Sequence, residues 1–201
     1  MNKRNIKIVK DNKDKQNTYK KILPRYKTAI QNKAYFEAVL INYALLEDRL
    51  TSILYHLALI KDRSDNLLYI GDKKIIDICK IKFNKKEEFC FDTITKKINV
   101  LKKLFNWVEN TEEKLKKGSF LYLLKNECES IDIKEMRKQL KCIEKWCGWR
   151  NEIIHGLLNK NLDDLYASIE EKVKEGNDYY KYLASISKEI KTYSTIRNTI
   201  K

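Results

Sequence analysis

Apolar residues recur at intervals of three and four along most of the chain, the spacing that gathers them on one face of an α-helix. The longest such run, Ala34 to Ile60, puts Val39, Tyr43, Leu46, Leu50, Ile53, Leu54 and Leu57 on one stripe. A shorter helix is expected over 19–31 from Ile22, Leu23, Tyr26 and Ile30, with Pro24 tolerated near its start because proline lacks the backbone N–H. Residues 1–17 show no such period and read as a flexible basic lead-in.

Beyond Ile60 the same pattern continues in shorter blocks. Asp72 caps an expected helix carrying Ile75, Ile76 and Cys79, and Lys86 to Val108 carries Ile94, Ile98, Leu101 and Phe105 on one side. Glu112 to Lys125 is a weaker helical stretch with Gly118 as an interruption. Asp132, with Glu135 three residues on, resembles a capping box and opens a helix. Its buried side is expected to hold Met136, Leu140, Ile143, Cys147, Ile154 and Leu157, and its end falls near 156–161. Two further helices follow, over 162–174 and 178–200, with Gly176-Asn177 as the turn between them. One proline and five glycines among 201 residues supply too few turns for a sandwich or barrel. The expected fold is therefore all-α, an antiparallel helical bundle spanning 18–201 as one domain.

The 43% of hydrophobic residues can fill a core despite 35% charged residues, and this excludes a disordered chain. Net charge is +14, which favours a polyanion such as RNA, DNA or an anionic membrane face; lysine-rich coding from an AT-rich genome explains the same excess. The cysteines Cys79, Cys90, Cys128, Cys142 and Cys147 form no CxxC pair and read as core residues of a reducing compartment, with no metal site implied. Residues 1–15 show no secretory signal, and Glu47, Asp48 and Arg49 interrupt the longest apolar stretch, so no membrane span is expected. A cytoplasmic protein follows as the expectation.

Only two histidines are present, His56 and His155. His155 closes the run Arg150-Asn151-Glu152-Ile153-Ile154-His155. Arginine offers a fixed fork of donors to a phosphate, and imidazole exchanges protons near neutral pH. RNA transesterification needs one group to take the 2′-hydroxyl proton and another to protonate the leaving 5′-oxygen. One motif has one histidine, so a twofold homodimer with a composite site becomes part of the reading. In an ideal helix Arg150 and His155 lie about 140° apart, whereas Asn151 and His155 share a face. Arg49 and His56 form a second, more widely spaced pair, with Leu50 where the first pair has Asn151. Glu47 is a possible partner for Arg150. Lys141, Lys145 and Lys160 flank the motif as phosphate contacts or as a solvated face. Trp146 and Trp149 read as packing anchors. The plainer alternative makes His155 a packing histidine at a helix end and Arg150 half of a surface ion pair.

Arg150-Asn151-x-x-x-His155, late in a basic helical chain, resembles the Arg-x4–6-His motif of HEPN-domain ribonucleases, in which a polar residue commonly follows the arginine. The resemblance implies a HEPN-like bundle with extra helices and metal-independent endoribonuclease activity without a cofactor. It also implies a dimer-interface site in which Arg150 and His155 are catalytic and Asn151 orients. An antitoxin or another component of an antiviral defence system is the kind of partner such proteins have. Leu157 departs from the toxin branch that carries tyrosine there. The alternative function is a non-catalytic helical module that binds RNA or protein in a defence system.

Overall fold

In the computed structural model residues 12–60, 78, 93–156, 159, 161–193 and 196 are described, and they contain six α-helices and no strand. In chain order these are α1 (Asn12–Gln31), α2 (Tyr35–His56), α3 (Ile94–Asn110), α4 (Phe120–Glu129), α5 (Ile133–Gly156) and α6 (Leu162–Tyr193). The expected helix over 72–79, the start of the 86–108 helix, and Leu157 and Lys160 lie outside the described residues. None of the helices among the described residues is long and apolar enough to cross a membrane.

Local chemistry explains most of the helix boundaries. Thr93 Oγ1 accepts from the Lys96 amide at the start of α3, and Asp132 Oδ1 accepts from the Glu135 amide at the start of α5. The expected 112–125 helix is displaced to α4. Gly118 takes a left-handed backbone (φ +79°), and Ser119 then caps the helix by accepting from the Tyr122 amide. Helix α1 reaches back to Asn12, so residues 12–17 are helical and Pro24 lies well inside the helix. Pro24 takes one donor from the helix, the one that would meet the Lys20 carbonyl, and both residues are exposed.

The largest revision concerns Gly176, where a turn was expected and α6 runs straight through. A Cβ at this position would come within 2.7 Å of Trp146 Cζ2 and 2.8 Å of Asn42 Nδ2. The glycine serves close packing between helices, at a helix-propensity cost of about 1 kcal/mol. Asn42 Nδ2 donates to the Val173 carbonyl (2.8 Å) and Trp146 Nε1 to the Lys172 carbonyl (2.8 Å), joining α2, α5 and α6 at one point.

Buried residues of all six helices form one continuous core, with Leu46, Leu50, Leu54, Ile98, Phe105, Leu140, Ile143, Ile169 and Leu183 fully enclosed. Paired residues give the helix directions. Tyr19 meets Asp48 while Arg25 meets Glu37, so α1 and α2 are antiparallel. Lys102 with Glu144 and Arg137 with Glu109 make α3 and α5 antiparallel. The most extensive pair, α2 with α6, runs parallel: Tyr35 bonds Glu170, Asn42 bonds Val173, and Ser187 bonds Ser52. The bundle is thus of mixed direction, with α5 antiparallel to α3 and, since Trp146 meets Lys172 and Ile153 meets Leu165, to α6.

Candidate functional site

The last two turns of α5 are fixed from one side. Trp146 and Ile153 are buried and Trp149 is half-buried, three residues at intervals of three and four that face α6. The two indole rings lie 6.2 Å apart. Between Trp149 and Ile153 on α5 and the start of α6 lies a groove of about 350 Å³, lined also by Asn161, Asp164, Leu165 and Ser168.

Arg150 leaves the helix on another side and meets α2. Its guanidinium carbon lies 4.4 Å from the centre of the Tyr43 ring, and Nη1 donates to Asn151 Oδ1 at 3.0 Å. Its Nε is buried without a hydrogen-bond partner. Asn151 and His155 are both exposed and stand one turn apart. The angular gap between Arg150 and His155 is therefore spanned by Asn151, which takes a hydrogen bond from the arginine and shares a helix face with the histidine. Burial pushes the neighbouring Cys147 thiol up to about 12, against the opposing pull of Arg150, so this sulfur stays protonated.

Two expectations change here. Ile154, assigned to the buried side, is 39% exposed, and Ile153 takes the inner position. Leu40 on α2 is likewise exposed, at 48%. Glu47, a candidate partner for Arg150, accepts instead from the buried Lys97 (2.8 Å). Tyr43 was read as a core residue on the α2 stripe; its role under Arg150 follows from helix register and has no local signature.

The second arginine–histidine pair is differently placed. Arg49 bonds Asp48 and the Tyr19 hydroxyl (2.7 Å), with its guanidinium carbon 5.0 Å from the Tyr19 ring centre, and Lys15 pairs with the same Asp48. Burial alone would raise the Asp48 carboxyl, but Lys15 and Arg49 outweigh it and hold it below its ordinary value. His56 is buried at the end of α2. Among the described residues no group of three or more His, Cys, Asp or Glu side chains is placed to hold a metal ion.

What the end of α5 presents is one imidazole, one amide and a half-buried guanidinium whose Nη1 donates to that amide. The set can hold a phosphate and exchange one proton, half of what transesterification requires. Comparison with models of protein families, with curated proteins and with solved structures finds no match to this chain.

Proposed function

We propose that this protein is a metal-independent endoribonuclease that acts as a homodimer in antiviral defence or as a toxin. The observation that carries the reading is the linkage of Arg150 through Asn151 to the face that presents His155, the only exposed histidine. In the proposed reaction one His155 takes the proton from the 2′-hydroxyl as that oxygen bonds to phosphorus. The P–O5′ bond breaks, and the His155 of a second copy gives its proton to the leaving oxygen. Arg150 holds the non-bridging oxygens, and Asn151 keeps arginine and imidazole in register. The products carry a 2′,3′-cyclic phosphate and a 5′-hydroxyl. Dimerisation follows from the chemistry, which needs a second imidazole, and Ile154 gives this end of α5 one exposed apolar side chain.

The test is incubation of the protein and of a His155→Ala variant with labelled single-stranded RNA in EDTA. Cleavage to cyclic phosphate ends by the parent alone is expected. Cleavage to 3′-hydroxyl ends with a strict magnesium requirement overturns the mechanism. A mixture of Arg150→Ala and His155→Ala chains is expected to show no gain over the separate variants, since a mixed dimer carries one imidazole and the reaction uses two. The second reading, a non-catalytic RNA- or protein-binding module, is favoured by the engagement of Arg150 with Tyr43 within a single chain. It predicts RNA binding that survives loss of His155 and no cleavage by either protein.

A further inference from the structure

Helix α5 exposes Lys134, Lys138, Lys141, Lys145, Gly148, Glu152 and His155 in succession. Their spacings alternate four and three, so all seven fall within about 100° of arc on the helix. The four lysines are separated along the axis by about 4.5–6 Å, and the row continues for about 15 Å from Lys145 to His155. Lys134, Lys141 and Lys145 make no ion pair among the described residues, whereas Lys138 has a long exposed contact with Glu135 (3.4 Å). The other acids of α5 are engaged elsewhere or off the row: Glu144 takes Lys102, and Glu135 takes Gln139. Glu152 is the one acid within it.

We infer that this face of α5 is a track for the phosphates of a single-stranded nucleic acid, leading the strand to His155. The inference takes from the proposed function only its polyanionic substrate. A single file of cations at near-even spacing follows one row of phosphates, the backbone of one strand. None of the seven positions is apolar, so the face lacks what an interfacial membrane helix buries. The file has no aromatic platform, so it grips backbone without choosing bases. Phosphate contacts of this kind do not sense the 2′-hydroxyl. The track therefore holds RNA and single-stranded DNA alike, and discrimination falls to the step at His155.

The experiment measures binding of a labelled RNA oligonucleotide against salt concentration, in a His155→Ala background that does not cleave it. The variant Lys134→Gln/Lys141→Gln/Lys145→Gln is compared with Lys13→Gln/Lys20→Gln/Lys27→Gln, three exposed lysines on one face of α1 that remove the same charge. Loss of three phosphate contacts lowers the slope of log K against log salt by about 2, and affinity at about 0.1 M salt by roughly one to two orders of magnitude. The α1 variant is expected to change affinity by less than about threefold. Glu152→Gln is expected to tighten binding. Equal losses in both lysine variants, or none in either, overturn the track, as does binding confined to RNA over DNA of the same sequence. Lost binding on α5 together with an uncleaved RNA in the parent leaves the track standing and removes the nuclease. Cleavage by the parent with unchanged KM in the α5 variant does the reverse.

Discussion

Arg49 and His56 lie on α2, and Arg150 and His155 on α5, and each arginine rests against a tyrosine ring. Under Arg49 the ring of Tyr19 also bonds through its hydroxyl, accepting from Arg49 and donating to Asp48 (2.6 Å), while His56 is buried. Under Arg150 only the Tyr43 face is used, and the guanidinium turns one donor toward an exposed amide. The first arginine is spent on holding α1 to α2; the second is held in place with donor capacity left over. The lesson is that a short motif acquires chemistry from what its neighbours leave unsatisfied, and a tyrosine hydroxyl with a carboxylate is enough to remove it.

The sharpest break between the two pairs is kinetic. His155→Ala is expected to lower RNA cleavage roughly 10²–10⁴-fold, the range for losing a general acid–base group, with little change in thermal stability. His56→Ala is expected to destabilise the fold while cleavage per folded molecule persists; equal kinetic losses in the two variants would erase the distinction. Next in size, Arg49→Ala leaves the partly buried Asp48 with the Tyr19 hydroxyl and with Lys15, its one charged partner among the described residues. The expected cost is about 2 kcal/mol, less than for a fully enclosed pair because a fifth of each side chain meets solvent. Calorimetry should show a drop of about 6 °C in Tm, against little change for Arg150→Ala.

The same cluster predicts an acid limb. Because the folded carboxyl of Asp48 lies below its unfolded value, its stabilisation is complete above about pH 4 and is lost as pH falls through the folded value. Denaturation followed from pH 6 downward should therefore flatten in Asp48→Asn. The smallest effects come from the two rings. Tyr19→Phe removes a hydroxyl that bonds on both sides and should cost about 1 kcal/mol of stability. Tyr43→Phe keeps the face that Arg150 uses and should be nearly silent, whereas Tyr43→Leu should lower cleavage about fivefold at nearly unchanged stability. A large effect of Tyr43→Phe would show that the hydroxyl matters there as well.

Much of the fold was legible because helices are written locally. The α2 stripe, the Asp132 cap and the inward Met136, Leu140, Ile143 and Cys147 are read from spacing alone and stand where spacing puts them. What was illegible depended on a second helix. Gly176 has the local chemistry of a turn, and only the arrival of Trp146 and Asn42 makes it a contact. Ile154 has the right period for burial, yet it stays 39% exposed because Ile153 takes the inner position against α6. The link from Arg150 to Asn151 was half legible: the shared face of Asn151 and His155 follows from the helical repeat, but the direction taken by the arginine is set by Tyr43.

The junction of Asn42, Trp146 and Gly176 also limits how this sequence can drift. Position 176 cannot gain even a methyl group unless an indole or an amide on another helix gives way, so the three positions can change only in concert. The lysines of α5, by contrast, touch no such neighbour and can be exchanged one at a time. Distant descendants of this chain should therefore keep the trio, or replace it as a set, long after their surfaces have diverged. That interlocked triplet, spread across most of the chain, is a more selective signature for finding them than an arginine and a histidine a few residues apart.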